Sequence, residues 1–363
     1  MRSTLRSAAL IDMRSDWFVE ERRRCRDTSA GRIRLQVKPR GVNRAATISE
    51  PRLLLMLGAP RSFTTVVSSM LGQHPEMYAL PETNLFTAAD LAEWWQRSTQ
   101  VQFRMTDGLR RAVAQLYFGE QTDGTIQRAA GWLWRRSTCS TGFILELLAD
   151  QVRPRILIEK SPSTVHSEHW LRRTFEMFPR AKFLHLVRHP RAYGESVLKQ
   201  LSKWRWRRRE PPSWLFNLAT FENNPVAGRV LQTTAVDPQK SWYALNMKIC
   251  RFLTSIPDEQ KLQVRGEDIL VDPDSVLPRI CNWLGVRVDA SAIDAMKHPE
   301  CSHYASYGPP SAPMGNDHLF LEDPFLRPVR AASQSLDGPL SWHAHGKGFT
   351  FETKELASRL GYE

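Results

Sequence analysis

The residues with the clearest capacity for chemistry follow a short apolar run. In "RLLLMLGAPRSFTTVVSSML", from Arg52 to Leu71, a predicted strand passes through Gly-Ala-Pro into Arg61, Ser62, Thr64 and Thr65, and a helical pattern follows. Such a turn aims backbone N–H groups and the positive end of the helix dipole at one point. The stretch therefore predicts an anion site, although it lacks the Gly-Lys-Ser/Thr ending of a nucleotide triphosphatase. The alternative is an ordinary turn whose hydroxyl side chains only cap the helix.

A second cation lies at the end of another predicted strand. In "LVRHPRAYGES", Arg188 ends an apolar run, and Ser196 follows eight residues later, about two turns into the next helix. These two side chains can converge on a second phosphate. Lys160 and Glu267 also follow predicted strands, and the carboxyl ends of parallel strands share one edge of a sheet, where ligands bind. The pattern indicates a ligand with two separated anionic groups, which is a narrower requirement than one nucleotide triphosphate.

These residues need a sheet that brings strand ends together, and the hydrophobic pattern predicts one. Four apolar runs read as strands, and each is followed by a segment with helical spacing: "RLLLMLG", "RILIEKSP", "AKFLHLVRHP" and "KLQVRGEDIL". A mostly helical stretch is predicted from about 87 to 151. A Pro-, Gly- and Ser-rich segment from 301 to 341 is expected to cover the active edge as irregular structure. Strands that alternate with helices predict an α/β fold with a parallel central sheet flanked by helices.

Charge and composition set the outer limits. The chain has 363 residues and a net charge of +12, and residues 1–50 carry 12 Lys/Arg against 6 Asp/Glu without apolar periodicity. We therefore expect a basic, disordered extension at 1–50 and one domain at 51–363, and the acidic residues of the extension disfavour a transit peptide. Five widely spaced cysteines without a CxxC pair indicate neither a disulfide framework nor a zinc site. No apolar run approaches the length of a membrane span, so a cytoplasmic location is expected.

In these motifs and their order, the chain resembles the sulfotransferases that use 3′-phosphoadenosine 5′-phosphosulfate (PAPS). The first motif of that family binds the 5′-phosphosulfate, and it is matched here by Pro60, Arg61, Ser62, Thr64 and Thr65. The second binds the 3′-phosphate and matches Arg188 and Ser196. "IEKSPS", from Ile158 to Ser163, is similar to a Glu-Lys-Ser segment of many bacterial members. The resemblance covers about residues 51–363 and implies the sulfotransferase fold, with its P-loop-like central sheet, and PAPS as co-substrate without a metal.

The resemblance is to bacterial sulfotransferases of natural-product pathways, some of which are fused to polyketide or peptide synthases. It implies sulfuryl transfer to a hydroxyl, or less readily an amine, of a small or carrier-bound molecule. The basic run "KWRWRRRE", from Lys203 to Glu210, is either a solvated face or a surface that holds an acidic acyl or peptidyl carrier protein, and nothing resembles a nucleic-acid module. Two other functions stay open: a nucleotide-kinase-like phosphotransferase and a non-catalytic nucleotide-binding regulator.

Sulfuryl transfer needs cations at the leaving oxygen and a base for the acceptor proton. Arg61 and Lys160, the lysine carried over from the Glu-Lys-Ser segment, are the expected cations. The base is either Glu82 in "LPETNLF", where several bacterial sulfotransferases carry a catalytic Glu, or His166, six residues after Lys160, with His169 as a further candidate. Each histidine has a plain structural role as its alternative. No metal is expected, because the two histidines lack the further ligands of a zinc site.

Phe63 departs from the family pattern, in which this position of the first motif is usually Gly. If the backbone there requires a positive φ, a side chain is costly. Either the loop is rearranged, or the ring covers the sulfate pocket or contacts the acceptor. Phe63 is therefore included among the residues expected to line the donor site.

Overall fold

The computed structural model describes residues 52–101, 103–206, 237–327, 335–343 and 346–363. Within them, five strands form one sheet: β1 (Leu53–Leu57), β2 (Met77–Ala79), β3 (Ile156–Glu159), β4 (Lys182–Val187) and β5 (Lys261–Arg265). Their order is β2-β3-β1-β4-β5, and every neighbouring pair is parallel. This confirms the predicted α/β fold with a parallel central sheet. The predicted extension at 1–50 lies outside the described residues.

Helices precede and follow the strands along the chain. In chain order they are α1 (Thr64–Leu71), α2 (Leu91–Val101), α3 (Asp107–Phe118), α4 (Asp123–Trp134), α5 (Thr141–Val152), α6 (Glu168–Met177), α7 (Pro190–Trp206), α8 (Pro238–Leu253), α9 (Gly266–Val271), α10 (Pro273–Leu284), α11 (Ala290–Met296), α12 (His318–Glu322) and α13 (Phe351–Arg359). The predicted helical stretch in the middle of the chain corresponds to α2–α5. Among the described residues, no helix is both long and apolar enough to span a membrane.

The sheet is buried because its central strands are apolar on both faces. All five residues of β1 are buried, as expected for a parallel strand whose two faces are covered by helices. One core cluster joins Leu54 of β1 and Leu184 of β4 to α1, α10 and α11, through Val67, Leu277 and Ile293 among others. This packing holds the carboxyl ends of β1, β3 and β4 side by side, which is where the predicted site residues follow.

Three local predictions need correction. "KLQVRGEDIL" is a strand only as far as Arg265, and Gly266 begins α9 with Glu267 and Asp268 in its first turn, where the helix dipole favours negative charge. The segment after Lys160 is not one helix, because a 3₁₀ turn (Pro162–His166) comes before α6. β2 was missed, because three residues are too few for periodicity to show.

Candidate active site

The loop between β1 and α1 contains two residues with a left-handed backbone. Arg61 has φ 72° and Phe63 has φ 62°. Gly58 is required here, since a Cβ would lie 2.8 Å from the carbonyl oxygen of Leu186. α1 then begins at Thr64 without a side-chain cap. The hydroxyl side chains therefore do not cap the helix, and the N–H groups of its first turn have no partner inside it, which suits an anion.

Lys160 follows β3 and is almost completely buried, with 1% of the residue exposed. Its Nζ donates to three oxygens: Glu82 Oε1 at 2.7 Å, Thr65 Oγ1 at 3.0 Å and Asn316 Oδ1 at 3.4 Å. A buried ammonium group needs such partners, because its desolvation is costly. Thr65 belongs to the first turn of α1, so Lys160 meets the anion loop directly.

Glu82 is held in place by its neighbours on both sides. Its N–H donates to the carbonyl of Gly315 at 2.7 Å, and the next side chain, Thr83, donates its hydroxyl to Glu159 Oε1 at 2.8 Å. Ser161 also donates to Glu159. Burial raises the pKa of Glu159, and these two hydroxyl donors oppose that effect. The side chain of Glu82 itself is 28% exposed, so its carboxylate can be reached from solvent.

Arg61 faces the second half of the site. Its Nε donates to Ser196 Oγ at 3.2 Å, and its Nη1 pairs with the carboxylate of Asp317. Burial, followed by repulsion from Arg188, lowers the pKa of Arg61 to about 10. The guanidinium group is therefore still charged at neutral pH.

Arg188 follows β4 and connects the two predicted anion sites. Its Nη1 donates to the backbone carbonyl of Arg61 at 2.6 Å. Its Nε is buried and has no hydrogen-bond partner within the described part of the chain. Burial lowers the pKa of Arg188, and the nearby Glu267 opposes this. The structure thus brings Arg61, Arg188 and Ser196 together and leaves a buried donor for a ligand.

The ring of Phe63 lies beside Arg188, with 4.1 Å between the ring centroid and the guanidinium carbon. The ring also lies close to Gly266, where a Cβ would come within 2.5 Å of it. The backbone at Phe63 does have a positive φ, the conformation in which a side chain is costly. The sequence left open a rearranged loop, a ring over the sulfate pocket and a ring against the acceptor; the contact that the structure describes is with Arg188.

An open cleft of about 500 Å³ is lined by the anion loop, Arg188 and Ser196, and Lys160 contacts its lining residue Thr65. That volume lies within the usual range for small-molecule sites. The lining combines cations, acidic side chains and an apolar wall, and consists of Arg61, Phe63, Thr64, Thr65, Val66, Arg188, Ala192, Glu195, Ser196, Lys199, Leu270, Asp317, Leu319, Phe320, Asp323, Phe325 and Arg327.

Among the residues that the structure describes, His166 makes no hydrogen bond to Arg61, Lys160 or Glu82. It ends the 3₁₀ turn after Lys160, and its carbonyl accepts a hydrogen bond from Lys248 Nζ at 2.8 Å. Burial and the charge of Lys248 lower the pKa of His166 to about 4. His169 is exposed, and its Nε2 contacts Arg173 Nη2 at 2.9 Å. Among the described residues, no group of His, Cys, Asp and Glu has the arrangement of a metal site.

Four residues of the site were not expected there: Thr83, Glu159, Asn316 and Asp317. Asn316 also donates to the carbonyl of Tyr304 at 3.1 Å, which fixes its amide beside Lys160. Asn316 and Asp317 come from the irregular segment that was expected to cover the active edge. Their positions had no signal in the sequence, because an irregular segment has no periodicity that would place individual side chains.

A sequence profile described as "Sulfotransferase family" matches residues 53–290, which is more than half of the chain. The chain belongs to the sulfotransferase family. Relatives of this family member include protein-tyrosine sulfotransferase 2 of Gallus gallus, 30% identical over 151 residues, and protein-tyrosine sulfotransferase 1 of Homo sapiens, 28% identical over 150 residues. Each match covers 41% of this chain and 34% of the relative. The matched region is therefore about a third of the length of these relatives.

Two solved structures share the sulfotransferase fold over 86% of this chain. The sulfotransferase domain from the curacin biosynthetic pathway has a TM-score of 0.65 and 22% identity, and 98% of that domain is covered. The sulfotransferase domain from the olefin synthase of Synechococcus PCC 7002 has a TM-score of 0.62 and 25% identity, and 96% of it is covered. Both likenesses confirm the predicted sulfotransferase fold.

Proposed function

We propose that this sulfotransferase-family chain transfers the sulfuryl group of PAPS to a hydroxyl, or less readily an amine, of a small or carrier-bound acceptor. The observation that carries the proposal is the 2.7 Å contact between Lys160 Nζ and Glu82 Oε1 at the start of α1. It places a buried cation and a solvent-accessible carboxylate next to an anion loop. Sulfuryl transfer requires these two groups at one point: a cation for the leaving oxygen and a base for the acceptor proton.

The cleft fits a donor with two anionic groups. The first turn of α1, with Thr64, Thr65 and Arg61, suits the 5′-phosphosulfate, because N–H groups, hydroxyls and a guanidinium group converge there. The unpaired Nε of Arg188, together with Ser196, suits the 3′-phosphate. Magnesium triphosphates have no group for this second site, which supports PAPS over ATP.

The chemistry assigned to the residues is an in-line displacement at sulfur. The acceptor oxygen forms a bond to sulfur while the bond from sulfur to the bridging oxygen breaks, and that electron pair leaves with adenosine 3′,5′-bisphosphate. Lys160 and Arg61 stabilise the charge that develops on the bridging oxygen. Glu82 accepts the acceptor's proton, and its exposed carboxylate leaves room for the acceptor. His166 is the weaker candidate base, since its described contacts are with neither cation.

The proposal of a carrier-bound acceptor is based on the basic run from Lys203 to Glu210 and on the two solved structures that share the fold. One neighbour belongs to a biosynthetic pathway and the other to an olefin synthase. The run from Lys203 to Glu210, proposed to hold an acidic carrier protein, lies outside the residues whose side chains the structure describes. We therefore propose a carrier as one source of the acceptor group and a free small molecule as the other.

Nucleotide binding tests the donor. Adenosine 3′,5′-bisphosphate should raise the melting temperature and bind with measurable heat by calorimetry, whereas ATP with magnesium should have a much smaller effect. Equal effects of the two nucleotides would contradict the proposal and favour a kinase-like function. Transfer of labelled sulfuryl from PAPS to a panel of phenols, alcohols and amines then tests catalysis. Binding without any bisphosphate release would favour a non-catalytic regulator.

A further inference from the structure

Phe63 is the residue of the first motif that departs from the family pattern, and the proposed chemistry does not use it. We infer that its aromatic ring holds Arg188 in position for the 3′-phosphate, and that this is why a side chain is present where the backbone favours glycine. The inference rests on the proposed donor and adds a positioning residue to its site. Phe63 acts through Arg188 and is not assigned any contact with the reacting atoms.

The backbone at Phe63 shows that the side chain is retained at a cost. Its φ of 62° and ψ of 10° lie in the left-handed region, where a Cβ causes steric strain and glycine has none. Strain of this kind persists where the surrounding structure compensates for it, and it is frequent at ligand sites. A compensating interaction of the ring is therefore expected, and the structure contains one.

The compensating interaction is with the guanidinium group of Arg188. The ring centroid lies 4.1 Å from the guanidinium carbon, within the range of a cation–π contact. Burial desolvates Arg188, and a cation–π contact is stronger when the cation is desolvated. The Nη1 bond to the carbonyl of Arg61 restrains the same group from a second direction. Together they restrict the side chain and leave Nε as its unpaired buried donor.

The ring of Phe63 also lies close to the backbone of Gly266. A Cβ at Gly266 would come within 2.5 Å of Cδ2 and 3.3 Å of Cγ of Phe63. The first residue of α9 therefore has no side chain where the ring needs space. Phe63 also packs against the core cluster. The contact with the ring can restrict Arg188 before the ligand arrives, which lowers the entropic cost of binding.

The test compares two nucleotides that differ only in the 3′-phosphate. Calorimetry gives the dissociation constants of adenosine 5′-monophosphate and of adenosine 3′,5′-bisphosphate, and their ratio measures what the 3′-phosphate contributes. Arg188→Ala should abolish most of the wild-type preference for the bisphosphate over the monophosphate. Phe63→Gly should lower the ratio by about 10-fold, the size of a partly desolvated cation–π contact. Phe63→Leu, which keeps apolar volume without an aromatic face, should lower it by several-fold.

The stability of the same variants separates positioning from a general loss of folding. Phe63→Gly relieves the left-handed strain, so its melting temperature should change little. Its preference for the bisphosphate over the monophosphate should nevertheless fall. Gly266→Ala should lower the ratio by displacing the ring, and should lower it no further in the Phe63→Gly background. Phe143→Leu, a change of an exposed phenylalanine on α5, is the matched control and should leave the ratio unchanged.

The outcomes also distinguish this inference from the proposal on which it depends. If the wild-type protein binds both nucleotides equally, the proposed donor is wrong and the inference fails with it. If the wild type prefers the bisphosphate and Phe63→Gly keeps that preference, only the inference is overturned. A parallel loss of affinity for both nucleotides in Phe63→Gly would also overturn it, because that pattern indicates damage to the loop as a whole.

Discussion

At the scale of single residues, the proposed chemistry depends most on Lys160. Its ammonium group is buried and has three oxygen partners, so it is held at the junction of the anion loop and Glu82. Lys160→Ala should lower turnover by about two to three orders of magnitude, comparable with removal of one donor from an oxyanion hole. The measurement is bisphosphate release from PAPS. Binding of adenosine 3′,5′-bisphosphate should persist, which controls for folding, and near-normal turnover would remove Lys160 from the mechanism.

The identity of the base is a second question at this scale. Glu82→Gln should abolish most turnover together with the acidic limb of its pH profile, because the amide cannot accept the proton. His166→Asn should keep most turnover, since Glu82 is the proposed base and the described hydrogen bond of His166 is from Lys248 to its backbone carbonyl. Glu76→Gln is the matched control, because Glu76 binds the N–H of Arg287 instead of a site residue. Loss of turnover in His166→Asn alone would reverse the assignment.

Individual site residues were predictable where strand ends determine position. Arg61, Lys160 and Arg188 each follow a buried apolar run, and parallel strands place such residues on one edge. Asn316 and Asp317 were not predictable, because they come from irregular residues just before the short helix α12, within a segment predicted to be irregular. The positive φ at Phe63 could be anticipated from the motif, but the direction of its ring depends on the space at Gly266, which only the folded structure shows.

At the scale of elements, the first turn of α3 supports the backbone of Glu82. A Cβ at Gly108 would lie 1.9 Å from the carbonyl oxygen of Glu82, so one of the two backbones would have to move. Gly108→Ala should therefore lower turnover by about 10-fold or more and lower the melting temperature, because small displacements of a catalytic group are costly. Both effects are measurable on one purified variant.

α4 supplies a matched control for that substitution. It also begins with Asp-Gly, and a Cβ at Gly124 would meet only Thr122 Oγ1, at 3.9 Å. Gly124→Ala should raise stability by about 0.5–1 kcal/mol through helix propensity, and leave turnover unchanged. If Gly108→Ala behaves in the same way as Gly124→Ala, α3 does not support the Glu82 loop.

Secondary structure was predictable where apolar patterns are long, and less so where they are short. β1, β3 and β4 and the helices that follow β1 and β4 agree with the predicted segments. β5 was predicted too long, because the apolar residues of "GEDIL" suit a helix as well as a strand. The Gly and the two acidic residues that follow Arg265 were the signal for the start of a helix. β2 is stabilised by pairing with β3, a tertiary interaction that a sequence pattern of three residues does not predict.

At the scale of the whole molecule, a buried histidine couples stability to pH. His185 lies in β4, is 1% exposed and bonds Asn246 Oδ1 at 3.0 Å. Burial lowers its pKa from 6.5 to about 4. The unfolded chain binds this proton below pH 6.5 and the folded chain does not until about pH 4, so stability falls as the pH falls through that window.

This pH dependence can be measured by denaturant unfolding. Between pH 6.5 and pH 5, His185 should account for a loss of about 2 kcal/mol in the free energy of unfolding. His185→Gln keeps an amide donor for Asn246 and removes the titration, so its unfolding free energy should fall less steeply over the same interval. An unchanged slope would show that His185 is protonated in the folded protein.

The division of the chain gives a second prediction for the whole molecule. Residues 1–50 carry 12 Lys/Arg against 6 Asp/Glu and show no apolar periodicity, so the sequence predicts little core material there. Deletion of residues 1–45 should therefore change the melting temperature and turnover little. Differential scanning calorimetry of the shortened chain checks this, and a large drop in melting temperature would show that the basic extension belongs to the folded domain.

The hydrogen bond from Arg188 Nη1 to the carbonyl of Arg61 joins the two ends of the cleft through a single 2.6 Å contact. Because Arg61 belongs to the loop after β1 and Arg188 follows the adjacent strand β4, the separation between the two sites is set by the sheet. We therefore predict that the protein discriminates between regioisomers of equal charge. Adenosine 2′,5′-bisphosphate carries the same base and the same two phosphates as the 3′,5′ isomer, but its second phosphate starts from the neighbouring carbon of the ribose and would miss the donor that the sheet holds in place.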